Sequence, residues 1–207
     1  MARIFQWAAI SHAGLLAAAL VLGVRARSAR LEAMAAAPAA SMSHVAAGAP
    51  AAPAATLDLQ HSAGANMSLH VALAVFTLLA ACLIQTVVFT YFTVTGKLIQ
   101  QALALGKFDV PAGMAPVKRR KAWITRMVAL SILPIVLAAG TGAWGIAGVP
   151  QQRWHLAAGL LVTLVHVLAY PAYHRRIVEN GRHLDDAMRA YQEQKAAAAR
   201  AAATPGT

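Results

Sequence analysis

No charged side chain occurs in residues 69–94, and a helical pattern carries this apolar run on to about residue 105. About 20 apolar residues suffice for a helix to cross the hydrocarbon core of a bilayer. The run therefore predicts a transmembrane helix that leaves the membrane near Lys97 and projects into water, with Ser68 as its N-cap. Three further spans are expected, over residues 7–24, 127–149 and 154–170. The first is short and, with Arg3 ahead of it, shares features with a signal peptide. No small-x-small cleavage pattern follows it directly, so a retained anchor is the preferred reading. In the third span Pro134 predicts a kink, and Gly140, Gly142, Gly145 and Gly148 allow close helix approach.

Between the spans the pattern changes. Residues 34–66 are rich in Ala, Pro, Ser and Gly, have little to bury and read as a flexible linker. Pro111 and Pro116 predict a break in helix, and residues 150–153 a short turn. Beyond Pro171, Ile177, Gly181, Leu184, Met188 and Tyr191 recur at alternating spacings of four and three. That predicts a helix over residues 174–203 with one narrow apolar face. Leu98, Ile99, Ala102 and Leu103, on the extension of the second helix, are candidates to pack against Ile177, Leu184 and Met188 as a small stalk.

The expected fold is thus all-α, an integral membrane bundle of four transmembrane helices with cytoplasmic helical extensions. Its parts are an N-terminal anchor or signal-like segment (1–33), the linker (34–66), a three-span membrane bundle (67–173) and a cytoplasmic amphipathic helix and tail (174–207). Composition agrees: 59% of residues are hydrophobic and 12% charged, against about 25% charged in soluble domains. The net charge of +11 would suggest nucleic acid in a soluble protein. Here the basic residues flank apolar spans, so they read as topology signals and contacts for anionic lipid, with no nucleic-acid partner. The single cysteine, Cys82, lies mid-span, which excludes an internal disulfide.

Charge also orients the chain. Residues 97–126 carry seven Lys/Arg and the tail after Tyr173 carries six, whereas residues 151–153 carry one. Basic segments stay inside, so a multi-pass protein of the inner membrane with a cytoplasmic C-terminus is expected. Arg25, Arg27 and Arg30 then fall on the outer side, against the rule; cleavage of the first segment would explain them equally well.

Histidines are the only side chains in the spans with catalytic or ligand potential, and an ionisable group in a membrane is costly enough to suggest function. His70 and His155 begin two spans that run in the same direction, so they share one membrane level. His166 lies eleven residues past His155, on nearly the same helix face and about 16 Å deeper. Gly159 lies on that stripe, and His12 in the first span reaches a similar depth.

Two levels of paired histidines suit bis-histidine haem, with His70/His155 as one ligand pair, His12/His166 as the other, and Gly159 giving the porphyrin room. At these positions the chain resembles the four-helix membrane cytochromes b that anchor hydrogenases and dehydrogenases. The resemblance implies haem b and electron transfer to or from quinone. The bland reading is favoured over haem: interfacial anchors at His70 and His155, packing hydrogen bonds at His12 and His166, and solvated rings at His44, His61, His174 and His183. Every carboxylate lies outside the spans, which disfavours a proton-coupled transporter. No phosphate loop, metalloprotease motif or Ser-His-Asp set is present. The sequence alone thus leads to a non-catalytic subunit or scaffold of a larger membrane complex or homo-oligomer. A b-type cytochrome is the first alternative and a small transporter or proton relay the second.

Overall fold

A computed structural model describes residues 1–47, 54–144 and 149–203. Among the described residues the chain is all-α, with four helices: α1 (Ala2–Ala47), α2 (Ala54–Leu105), α3 (Val110–Trp144) and α4 (Val149–Ala203). Each contains a stretch long and apolar enough to cross a membrane, so the protein is a multi-pass membrane protein. Large side chains such as Leu79, Leu83, Leu130, Leu133 and Leu168 point outward. In water these would form an aggregating patch; in lipid they face their own solvent. Small and hydroxylated residues such as Ala81, Ala169, Thr77 and Ser131 are buried alongside the larger core side chains, and they let helices approach closely. Intramembrane hydroxyls return to their own helices, Thr77 to the Leu73 carbonyl and Ser131 to the Met127 carbonyl.

The helix boundaries depart from the sequence reading at its prolines and in the Ala-rich stretch. α1 reaches Ala47 and α2 starts at Ala54, because alanine, which dominates this stretch, is the strongest helix former. Pro111 sits in the first turn of α3, where its missing N–H costs nothing. Pro116 is carried within the same helix. It deprives only the carbonyl of exposed Ala112 of a partner, and water can supply that. Residues 150–153, expected as a turn, belong to the start of α4, and α4 then continues through Pro171 to Ala203.

The break between α2 and α3 is made by residues 106–109. Lys107 takes a left-handed φ of 51°. Its N–H bonds the Ala104 carbonyl and the Phe108 N–H bonds the Leu103 carbonyl, which together form a Schellman cap. Asp109 then opens α3, its carboxylate accepting from the Ala112 N–H at 3.1 Å. A lysine at the left-handed position is strained. Lys107→Gly is therefore expected to stabilise the protein by about 0.5–1 kcal/mol, raising the thermal midpoint in detergent by a few degrees; no rise would place the strain elsewhere.

The contacts divide the chain into two units: Met1–Ala9, Cys82–Leu133 and Val165–Thr207 form the first, and Ile10–Ala81 with Pro134–Leu164 the second. All four helices contribute to each core. In the first unit Phe5, Val88, Phe92, Ile124, Tyr173 and Ile177 pack together, with the Phe5 ring edge-on to Tyr170 and Tyr173. A second cluster joins Ile99 and Ala102 to Met114, Val117 and Ala187, with Leu103 and Leu184 alongside. Of the expected stalk residues, Ile99, Ala102, Leu103 and Leu184 do gather here, but α3 joins them, Ile177 packs in the other cluster, and Leu98 and Met188 stay exposed. Polar groups lock it. Fully buried Asn180 accepts from Arg120 Nη1 at 3.0 Å and donates to Thr95 Oγ1 at 2.6 Å. His183, expected to be solvated, bonds the Gly113 carbonyl through Nε2 at 3.0 Å. In the second unit Leu16, Ala81, Ile135, Ala138, Ala158 and Val162 form the core.

Candidate functional site: two facing histidines

His70 on α2 and His155 on α4 come together in the second unit, with ring centroids 6.0 Å apart and planes at 78°. Both rings are half-buried. His70 Nδ1 lies 3.2 Å from the Ala19 carbonyl of α1, and His155 Nδ1 lies 3.0 Å from the Ala138 carbonyl of α3. A carbonyl can only accept, so each ring donates from Nδ1. Each Nε2 then carries the lone pair, the tautomer a metal ligand requires. Thr141 Oγ1, 3.4 Å from His155 Nδ1, adds a weaker contact.

The other expected residues are placed separately. His12 is buried in the same unit as the His70/His155 pair, but its Nε2 donates to the Thr77 carbonyl at 3.0 Å. His166 is buried in the first unit, its ring centroid 5.7 Å from that of Tyr170. Thr86, a conceivable partner for His166, turns its hydroxyl to the Cys82 carbonyl instead. Gly159, one turn beyond His155, has open space where a Cβ would project. His44 lies among residues whose side chains are not described.

Among the described residues, no three His, Cys, Asp or Glu side chains converge on a metal position. Two imidazoles alone leave a bare Zn²⁺ two ligands short of its usual tetrahedral set. An apolar crevice of about 160 Å³ in the first unit, lined by residues such as Ile4, Phe5, Ile84 and Val88, offers no reactive group. The first unit also holds a buried amide, Gln85, near the Tyr173 hydroxyl but without a well-formed hydrogen bond.

Sequence reasoning identified the histidine pair but missed the groups that hold it. The carbonyls of Ala19 and Ala138 belong to the backbone and have no residue-type signature. Compared with models of protein families, with curated proteins and with solved structures, the chain matches none.

Proposed function

We propose that this protein is a haem-binding electron carrier of the membrane, a small b-type cytochrome in which His70 and His155 supply the two axial imidazoles of one haem. The observation that carries the reading is the facing pair itself: two rings from different helices, both tethered through Nδ1 and both offering Nε2. With 6.0 Å between centroids the two rings are near enough to share one metal, onto which each Nε2 would have to be turned. Haem iron brings four equatorial nitrogens of its own, so two protein ligands complete it where a bare ion would lack partners. Open space at Gly159 is compatible with a porphyrin edge beside His155.

Bound haem would supply one-electron chemistry. The protein's own part is to present two neutral imidazoles, fix their tautomer through backbone carbonyls and keep the site in low-dielectric surroundings. If His70 and His155 both held the iron, no site for a small ligand would be left, and one-electron exchange with a partner in the same membrane would be the chemistry the haem supplies. Both basic segments, residues 97–126 and the tail beyond Tyr173, lie in the first unit. That supports a cytoplasmic location for both and for the C-terminus. Residues 192–203 of α4 are exposed throughout. This favours a role as a subunit docked to a larger complex, whether or not haem is bound.

The decisive experiment is a reduced-minus-oxidised visible spectrum of the full chain, purified in mild detergent after expression with ample haem. A sharp band of six-coordinate haem b is expected. A flat spectrum would overturn the cytochrome reading and leave the scaffold role.

A further inference from the structure

The two histidines sit in matching seats. On α1, Ala19 and Gly23 are one turn apart; on α3, Ala138 and Gly142 have the same spacing. In each case the alanine carbonyl accepts from the imidazole of the next helix, and the glycine faces that same ring. A Cβ built on Gly23 would lie 2.8 Å from His70 Cε1, and one on Gly142 would lie 2.9 Å from His155 Cε1. Neither distance is tolerable between carbons. Neither ring can simply swing aside, because its Nδ1 is tied to a carbonyl one turn away. Gly14 and Gly140, on the same two helices, have nothing within 4 Å of a Cβ position. Gly113, also on α3, is tighter still against Leu103, so close approach alone does not mark a seat; what sets Gly23 and Gly142 apart is that the opposing group is an imidazole tethered one turn away.

We infer that Gly23 and Gly142 are positioning residues, a duplicated Ala-x-x-x-Gly seat that fixes the rotation of the His70 and His155 rings and holds their planes near perpendicular. The consequence for iron rests on the haem reading of the same two residues. Ferric haem between near-perpendicular axial imidazoles gives a highly anisotropic low-spin resonance, whereas more parallel rings give an ordinary rhombic one. An added methyl group at either seat must rotate or displace its ring, and the two seats should respond alike because they are built alike.

The test uses the full chain with Gly23→Ala and Gly142→Ala, and with Gly14→Ala and Gly140→Ala as controls. Ferric electron paramagnetic resonance and the haem-to-protein ratio are read on each. Expected are a highly anisotropic signal in the wild type and both controls, and a change toward the rhombic type with several-fold lower haem retention in both seat variants. Seat variants indistinguishable from the controls would overturn the inference. A second measurement holds even if a seat variant folds poorly or the wild type carries no haem. Gly23→Ala should lower the thermal midpoint in the wild-type background but much less in a His70→Ala background, where the opposing ring is gone; Gly142→Ala should behave likewise with His155→Ala. A haem-free wild type that shows this coupling sinks the cytochrome reading and keeps the seats. Equal losses in both backgrounds sink the seats, whatever the spectrum.

Discussion

His155→Ala is expected to remove one haem per chain, with the corresponding absorbance lost from the reduced-minus-oxidised spectrum, and His70→Ala to do the same. On the proposed haem assignment each substitution would take away one of two axial ligands, and the remaining imidazole could not hold six-coordinate iron alone. Disturbing a group that merely orients a metal-bound histidine typically weakens metal binding about 10–100-fold, so loss of the ligand itself should cost at least about 100-fold. Two comparisons make the result specific. His61→Ala alters an exposed ring, and His183→Ala removes a hydrogen bond to the Gly113 carbonyl in the first unit; both should keep full haem content. Thr141→Val, which removes the 3.4 Å contact to His155 Nδ1 together with the hydroxyl's bonds to the Leu137 and Ala138 carbonyls of its own helix, should have a small effect. Full haem retention in His155→Ala would end the assignment of that pair.

The largest expected loss of stability is at Asn180, far along α4 from the histidine pair. Asn180→Leu keeps the branching and heavy-atom count but strips two partners at once: Arg120 Nη1 loses its acceptor and Thr95 Oγ1 its donor. A buried polar group left without a partner costs about 1–3 kcal/mol, and more when it is charged. The change should therefore cost about 3 kcal/mol or more, and the midpoint should fall by about 2–4 °C per kcal/mol in a chain of this size. The measurement is the thermal midpoint in detergent, with haem content followed in parallel. A drop of roughly 6–12 °C is expected, with the spectrum of the folded fraction unchanged because Asn180 belongs to the first unit and the histidine pair to the second. No drop would mean that water replaces the asparagine amide and that the buried bond adds little.

The elements most legible in the sequence were those where one solvent dictates one pattern. A run without charge from residue 69 to 94 has only one stable setting, a helix in lipid, and α2 does end at Leu105 as its pattern implies. The periodic tail beyond Pro171 is helical to Ala203 for the same kind of reason, since Ile177 and Leu184 must meet an apolar partner. Prolines misled where position within a helix decides their cost. Pro111 begins α3 and Pro116 lies where the freed carbonyl meets water, so neither interrupts it. The real break came from Lys107 in a left-handed conformation, a conformation that a lysine does not announce. Because α3 was expected to start later, its share of the stalk, through Met114 and Val117, went unseen.

By itself the sequence determined that the chain is helical and crosses a membrane, which ends are basic, and that histidines are its only candidate ligands. These are properties of composition and period, set by the solvent each residue must face. Only tertiary structure decided which histidines meet. Spacing places a side chain on a face of its own helix but leaves the rotation of that helix against its neighbours open, so the 6.0 Å approach of His70 and His155 required all four helices to be packed. The groups that hold the rings, two backbone carbonyls and the bare faces of Gly23 and Gly142, act through what they lack or what every residue has. Such groups gain meaning only when a partner from another helix stands against them.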